Sequence, residues 1–490
     1  MENRIKVLTN LFWRFGERIG AQLVSFVVTI VISRILDPED YGIIAIVNVF
    51  ISLADIFVAS GFGSTLIQKK DADEIDYSSV FYFQLVLSGF IYLIVFFSAP
   101  LIQKFYGSQY SLLTPVLRVL GLRLFLTALN SVQNAYVSKH LQFKKFFFAT
   151  LIGTIISAVF GIVAAYQGLG TWALVIQYLT NSVIDTIILW ITVEWHPIWK
   201  FSFSRLKKLY SFGWKLLLSA VIDTLYQSLR DLLIGKFYSA SDLAFYNRGS
   251  SYPLLLIKNV NTSIDNVLFP VMSKSQDSIE TVKQMARRSI KCCSYIIFPL
   301  MMGLAVVGKP MIRVMLTEKW LPAVPYLQIF CFAYSWSLIH TANINAIKSL
   351  GRSDLILKLE LIRDILELIA LGISIKFGVF WVAFSSVFLA LFKSVIYSFP
   401  NNKLLNYSYF QQIKDLLPAA ILAIVMGVPV YCINFTSLPD IVKLIIQVPL
   451  GGIIYIGLSW LFKVEAFNYL LNTGMDFLKG IKRRGANKEN

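Results

Sequence analysis

The sequence predicts an all-α polytopic membrane protein, and composition, apolar runs and the placement of basic residues lead to this fold class. Of the 490 residues, 56% are hydrophobic and 15% are charged. Soluble domains contain about 45–50% apolar and about 25% charged residues, so the apolar content exceeds what a soluble core requires. The net charge of +17 is therefore interpreted as basic loops at a membrane surface, and nucleic-acid binding is excluded.

Apolar runs of membrane-spanning length recur along the chain, because a hydrocarbon core of about 30 Å requires about twenty apolar residues per helix. They predict about 14 transmembrane helices, arranged as two groups of six and a final pair. The first group lies near 12–34, 43–67, 79–101, 113–137, 147–167 and 171–193. The second group lies near 212–235, 245–268, 290–308, 322–346, 355–375 and 379–399, and the pair lies near 417–436 and 441–462.

The first two spans form a hairpin with a sharp hinge. Pro38 cannot donate the next backbone hydrogen bond and disfavours helical backbone at Asp37, so we expect the first helix to end there. Gly42 then opens the second apolar run.

Basic residues alternate between the two sides of the predicted topology. With the N-terminus inside, most Lys and Arg residues fall in inner loops and in the two tails. The outer loops hold only Arg34, Lys104, Lys236, Lys309, Arg313, Lys319, Lys376 and Lys443. This asymmetry predicts that both termini are cytoplasmic, because basic loops are retained on the cytoplasmic side.

A weak internal repeat divides the chain into two halves. Asp40-Tyr41-Gly42 aligns with Asp242-Leu243-Ala244, and each triplet precedes a new span. Six helices per half give both halves the same orientation, which is a pattern of transporters. The predicted domains are an N-lobe at 1–193, a cytoplasmic amphipathic connector at 194–211, a C-lobe at 212–400, and helices 13–14 with a basic cytoplasmic tail at 401–490.

Several ionisable residues fall inside the predicted spans, where a charge is costly and usually faces a bundle interior or a water-filled cavity. The cations are Arg14, Arg18, Arg123 and Arg230, and the carboxylates with a possible ion-coupling role are Glu17, Asp55 and Asp223. Structural or secondary charges are Asp231, Glu360, Arg363, Asp364 and Glu367. Two interpretations stay open: ion pairs that fix helix register, or arginines that bind an anionic head group while carboxylates exchange protons or sodium.

Other chemistry finds little support in the sequence. The three histidines are scattered, and no metal site, Walker loop or dinucleotide motif is present. Asp71 and Asp73 lie in a short loop and are interpreted as a solvated turn. We therefore expect neither an enzyme nor a bound cofactor.

Several stretches together resemble the polysaccharide transporter family, within the multidrug/oligosaccharidyl-lipid/polysaccharide exporter superfamily. They are Arg34-Ile-Leu-Asp-Pro-Glu-Asp-Tyr-Gly42, Gly61-Phe-Gly-Ser-Thr-Leu-Ile-Gln68, Leu141-Gln-Phe-Lys144, Gly170-Thr-Trp-Ala-Leu-Val-Ile-Gln177, Asp231-Leu-Leu-Ile-Gly-Lys236, Phe269-Pro-Val-Met-Ser-Lys-Ser-Gln276 and Lys319-Trp320. Within the family, the chain is most similar to the Wzx-like exporters of lipopolysaccharide, O-antigen and colanic acid.

This resemblance implies two six-helix lobes in a V around a central cavity, plus two C-terminal helices. It also implies a flippase of the bacterial cytoplasmic membrane, which moves oligosaccharides linked to undecaprenyl diphosphate by alternating access, with coupling to protons or sodium. The implied partners are this lipid-linked substrate, membrane lipids, and the polymerase and glycosyltransferases of surface polysaccharide synthesis.

Two rival functions remain open. An ion-coupled drug or metabolite antiporter would share the fold, although the buried arginines argue against export of cationic drugs. A polysaccharide polymerase or ligase would act on the same lipid, but it would need catalytic groups in a sizeable outer loop, and the outer loops are short.

Overall fold

The computed structural model describes residues 2–59 and 62–486, and these residues form α-helices joined by short turns, without any strand. The first nine helices are α1 (Glu2–Ile35), α2 (Pro38–Ala59), α3 (Phe62–Gln68), α4 (Glu74–Tyr106), α5 (Leu113–Gly121), α6 (Arg123–Lys139), α7 (Phe143–Tyr166), α8 (Thr171–Thr192) and α9 (Phe203–Phe237). The remainder are α10 (Ala240–Lys274), α11 (Ile279–Leu316), α12 (Val324–Ser335), α13 (Ser337–Ser349), α14 (Ser353–Ser374), α15 (Val379–Leu404), α16 (Tyr409–Cys432), α17 (Asp440–Leu461) and α18 (Glu465–Ala486).

The all-α polytopic prediction is confirmed. Every predicted span overlaps one of these helices or a broken pair of them. Within the described residues, nine helical segments are long and apolar enough to cross a bilayer. The chain is a multi-pass membrane protein.

Among the predicted spans that the structure describes throughout, two are broken into shorter helices. The span predicted near 113–137 consists of α5 and α6, which meet at Leu122. The span predicted near 322–346 consists of α12 and α13, which meet at Trp336 and follow a short 3₁₀ helix at Glu318–Ala323. Both breaks lie inside mainly apolar stretches of span length, so hydropathy alone does not reveal them.

The helices pack as two compact units, Met1–Ala244 and Phe245–Asn490. The first unit includes all of α9. The predicted lobe boundaries at 193 and 212 stay a prediction.

At one end of the first unit, the connector packs into an aromatic core. Trp195 is buried against Phe81 and Tyr77 of α4. The buried hydroxyls of Ser78 and Ser79 accept hydrogen bonds from the backbone N–H groups of Ile198 (3.0 Å) and Ser202 (2.9 Å). The connector is therefore held on α4 before α9 begins.

The hinge of the first hairpin is a capped helix start. The backbone N–H of Asp37 donates to Asp40 Oδ2 at 3.2 Å, and Thr171 donates its hydroxyl to Asp40 Oδ1 at 2.6 Å. Asp242 has the equivalent place in α10, because it accepts from the backbone N–H of Ser239 at 3.2 Å. The two aligned aspartates thus both cap the helix that follows a hinge.

The segment predicted as a basic tail is largely helical. Ala466, Phe467 and Leu470 of α18 pack against Tyr295 of α11. The apolar face of α18 is thereby attached to the second unit.

Candidate functional site

Helix α6 carries a row of polar side chains within the first unit. Arg123, Thr127, Asn130, Asn134 and Ser138 follow one another at spacings of three or four residues. This spacing places them on one side of the helix. We call these five residues the α6 polar stripe.

Arg123 and Asp55 meet at one end of the α6 polar stripe. Arg123 is the first residue of α6, and its Nη2 lies 4.0 Å from Oδ2 of Asp55 on α2. The other carboxylate oxygen accepts a hydrogen bond of 2.8 Å from the Thr127 hydroxyl. The Arg123 side chain keeps 37% of its surface exposed, compared with 20% for Asp55. The guanidinium is thus balanced by a carboxylate and still accessible to another anion.

The other end of the α6 polar stripe borders a cavity of about 370 Å³. Asn130 donates to the Thr186 hydroxyl of α8 at 2.9 Å. Asn134, Thr150 and Asp185 line the cavity. The polar surface therefore continues from the Arg123–Asp55 pair along the packed helices α6, α7 and α8.

The predicted charges of α14 lie on one half-buried side of that helix, while Leu361 and Ile365 are exposed. Arg363 contacts Asp364 within the helix, with Nη2 2.7 Å from Oδ1. Glu367 forms an ion pair with Lys393 of α15. Both contacts are ion pairs of the kind that would fix helix register, which is one of the two interpretations left open for these charges.

The remaining predicted charges lie on α9 and near the N-terminus of the chain. Asp223 is exposed on α9, whereas Arg230 and Asp231 are half-buried. The side chains of Arg14, Glu17 and Arg18 lie outside the described part of the structure.

Thr127, Asn130 and Asn134 are not among the site residues predicted from the sequence. Their spacing after Arg123 could have predicted a polar side of the helix, because three polar residues at helical intervals are unusual in a membrane span. Thr186 gave no comparable signal, because its role depends on the packing of α8 against α6. Among the described residues, no group of three or more His, Cys, Asp or Glu is arranged to hold a metal ion.

The fold is that of solved membrane transporters. A structure described as lipid II flippase MurJ in an inward closed conformation aligns with a TM-score of 0.71 and 16% identity, covering 94% of this chain and 98% of that one. An inward-facing multidrug resistance MATE family transporter of the MOP superfamily aligns with a TM-score of 0.59 and 14% identity, covering 81% of this chain and 95% of that one. The class of protein is therefore a polytopic membrane protein with a transporter fold.

The chain belongs to the polysaccharide biosynthesis protein family, whose model matches residues 31–325. It is 25% identical over 304 residues to the teichuronic acid biosynthesis protein TuaB of Bacillus subtilis, a match that covers 62% of each chain. It is 23% identical over 421 residues to the lipopolysaccharide biosynthesis protein WzxC of Escherichia coli, covering 84% of this chain and 85% of WzxC. The succinoglycan biosynthesis transport protein ExoT of Rhizobium meliloti is 21% identical over 363 residues, covering 74% of this chain and 73% of ExoT. The resemblance to polysaccharide transporters is confirmed.

Proposed function

We propose that this protein is a flippase that moves diphosphate-linked oligosaccharide lipids across the bacterial cytoplasmic membrane by alternating access. Family membership and the similarity to the lipopolysaccharide biosynthesis protein WzxC and the succinoglycan transport protein ExoT support a role in polysaccharide export. The shared fold with a lipid II flippase supports a lipid-linked cargo. A diphosphate and a hydrophilic glycan cannot cross hydrocarbon unaided, so such a cargo requires a polar path.

The observation that carries the proposal is the half-exposed Arg123 beside Asp55 in a membrane-embedded helix. An intramembrane arginine is retained where it faces a partner or an aqueous cavity. A guanidinium binds phosphate oxygens through two parallel N–H groups, which an ammonium cannot match. Arg123 is thus suited to receive the diphosphate. Arg14, Arg18 and Arg230 are the further cations that we assign to this task.

Asp55 can return the site to its cargo-free state, because it competes with the cargo for Arg123. Without cargo, its carboxylate neutralises Arg123, and cargo phosphate must compete with it. Protonation of Asp55, or sodium binding to it, would release Arg123 for the cargo. We therefore propose coupling to protons or sodium through Asp55, with Asp223 and Glu17 as additional carboxylates.

The basic loops support an orientation with both termini in the cytoplasm. In this orientation, glycosyltransferases on the inner side supply the cargo, and a polymerase on the outer side consumes it. The protein itself moves the lipid without making or breaking a covalent bond.

The rival with the same fold is a drug or metabolite antiporter, which the likeness to a multidrug transporter favours. The two functions make different demands on Arg123. A cationic drug is repelled by this residue, whereas a diphosphate requires it.

The test is export by Arg123→Ala in the native host, measured as the fraction of lipid-linked oligosaccharide accessible from the outer leaflet. We expect a decrease of about tenfold or more, because hydrogen bonds to charged groups contribute about 1.5–3 kcal/mol. Arg118→Ala is the matched control. Arg118 lies on the neighbouring helix α5, and its guanidinium donates to the Phe96 carbonyl of α4 at 3.1 Å and lies over the Phe96 ring.

The control should insert and export normally, and Arg123→Ala should insert to the same level. Full export by Arg123→Ala would contradict the assignment of this site. Unchanged glycan export together with altered drug resistance would favour the antiporter.

A further inference from the structure

A second large cavity lies in the second unit, far along the chain from the α6 polar stripe. It has a volume of about 870 Å³ and is bounded by α11, the start of α16, and the turn between α17 and α18. Its lining combines four cations, Arg287, Lys291, Lys414 and Lys463, with two carboxylates and a larger apolar part.

The inner wall of this cavity is a built ionic cluster. Arg287 donates two hydrogen bonds to the buried carboxylate of Asp415, at 2.7 Å and 2.9 Å. The Tyr407 hydroxyl donates to the same carboxylate at 2.9 Å. Lys291 pairs with Glu465 and lies 3.5 Å from Asp415 Oδ1. These bonds hold the guanidinium in place while 51% of the Arg287 side chain remains exposed.

Two lysines add uncompensated charge at the mouth of the cavity. Lys414 and Lys463 are exposed, and neither has an ion-pair partner among the residues that the structure describes. Lys463 has a φ of +48°, a left-handed conformation that usually favours glycine. With four cations and two carboxylates, the cavity has a net positive charge and is suited to an anion.

The remaining lining is apolar and opens sideways onto the outer surface of the helices. Leu417 and Ile421, one helical turn apart on α16, are 46% and 49% exposed. Phe462, beside Lys463, is 66% exposed. A ligand that fits both the cationic part and the apolar part of the lining carries a negatively charged head group and a hydrocarbon chain.

We propose that this cavity binds an anionic phospholipid of the surrounding leaflet. Its phosphate lies among Lys414, Lys463 and Arg287, and an acyl chain follows Leu417 and Ile421. Basic pockets between transmembrane helices on the cytoplasmic side bind anionic lipid head groups in this manner, and the cavity lies on that side in the proposed orientation. A lipid bound here would attach to the start of α18 and stabilise its position, because a ligand of the folded state favours that state.

The test measures phosphatidylglycerol retained by the purified full-length protein in phosphatidylcholine nanodiscs, with native mass spectrometry as the readout. For Lys414→Gln with Lys463→Gln, we expect a decrease in affinity of about 25-fold, because each lysine near an anionic lipid contributes about a fivefold effect. Lys274→Gln with Lys403→Gln, two exposed lysines outside the cavity, should leave the affinity unchanged.

Glu465→Gln provides a change in the opposite direction. Its side chain is 76% exposed, so the substitution is compatible with folding. Because it removes one of the two carboxylates beside Lys291, we expect tighter retention of phosphatidylglycerol.

Three results would overturn the assignment. The first is equal affinity in the cavity double variant and the control. The second is equal occupancy by inorganic phosphate, which would indicate a soluble anion site. The third is replacement of phosphatidylglycerol by a polyprenyl phosphate at equal concentration, which would assign the cavity to the cargo lipid. The assay involves no transport, so it succeeds or fails independently of the flippase proposal.

Discussion

Arg205 Nη1 lies 2.5 Å from both carboxylate oxygens of Asp73, which joins the start of α9 to the start of α4. Asp73 is the N-cap of α4 and forms a reciprocal capping box with Asp76. The loop interpreted from sequence as a solvated turn is therefore an attachment point for the part of the connector that forms the start of α9. Hydrogen bonding to the Arg205 guanidinium lowers the pKa of Asp73 from 3.8 to about 2.

The Asp73–Arg205 pair predicts a specific pH dependence of stability. Because the pKa is lower in the folded state, the contribution of Asp73 is fully present above about pH 5 and is lost as the pH falls towards 2. In detergent, Asp73→Asn should lower Tm at pH 7, and its difference from the wild type should narrow below about pH 4. Asp71→Asn, in the same loop, should leave Tm unchanged. A difference that stays constant down to pH 2 would contradict the role of the pair.

The ion pair between Glu367 and Lys393 predicts non-additive energetics. Glu367→Leu or Lys393→Met alone should decrease the free energy of unfolding by about 3 kcal/mol, because each leaves a half-buried charge without this partner. The double variant should lose much less free energy of unfolding than the two single variants together, and it should retain export. Denaturation in mixed micelles measures the free energy of unfolding of the wild type, the two single variants and the double variant. Glu360→Leu, on the same side of α14, is the control. Loss of export by a stable double variant would assign the pair to transport instead.

Asn343 is the centre of a buried amide network that joins α13, α15 and α16. Its Nδ2 donates to Gln412 Oε1 at 2.7 Å, and its Oδ1 accepts from Asn401 Nδ2 at 2.6 Å. Asn343→Leu should decrease the free energy of unfolding by about 3 kcal/mol, because two buried partner amides each lose a hydrogen bond. Asn402→Leu, at the exposed neighbour of Asn401, should change it little. Equal effects of the two substitutions would show that the network adds no stability.

Gly42 permits a close approach of α2 to the backbone of Ala240, and both residues lie in the first unit. A Cβ atom at this position would overlap the backbone carbonyl of Ala240, at the start of α10. Gly42→Ala should therefore decrease stability by about 2 kcal/mol through overpacking. Gly457→Ala is the control, because an added Cβ there meets no atom within 4 Å, and a gain of about 0.5 kcal/mol is expected for a helix interior. A neutral Gly42→Ala would mean that the two helix ends separate at little cost.

Several features could be predicted from the sequence because they depend only on the spacing of residues along the chain. The charges of α14 recur at helical intervals, and Glu360, Arg363, Asp364 and Glu367 do share one side of the helix. The hinge aspartates were likewise recognisable, because capping involves residues three positions apart. The breaks at Leu122 and Trp336 were not, since both lie inside long, mainly apolar stretches and no proline is next to either residue.

The sequence by itself determined the membrane-spanning helices and the family, because span length and hydrophobicity are properties of consecutive residues. Only the tertiary structure decided which charges meet. Arg123 faces Asp55, Glu367 faces Lys393, and Arg287 faces Asp415 across helix boundaries. The physical reason is that an ion pair requires atoms within about 4 Å, and that distance depends on how each helix is rotated and shifted against its neighbours.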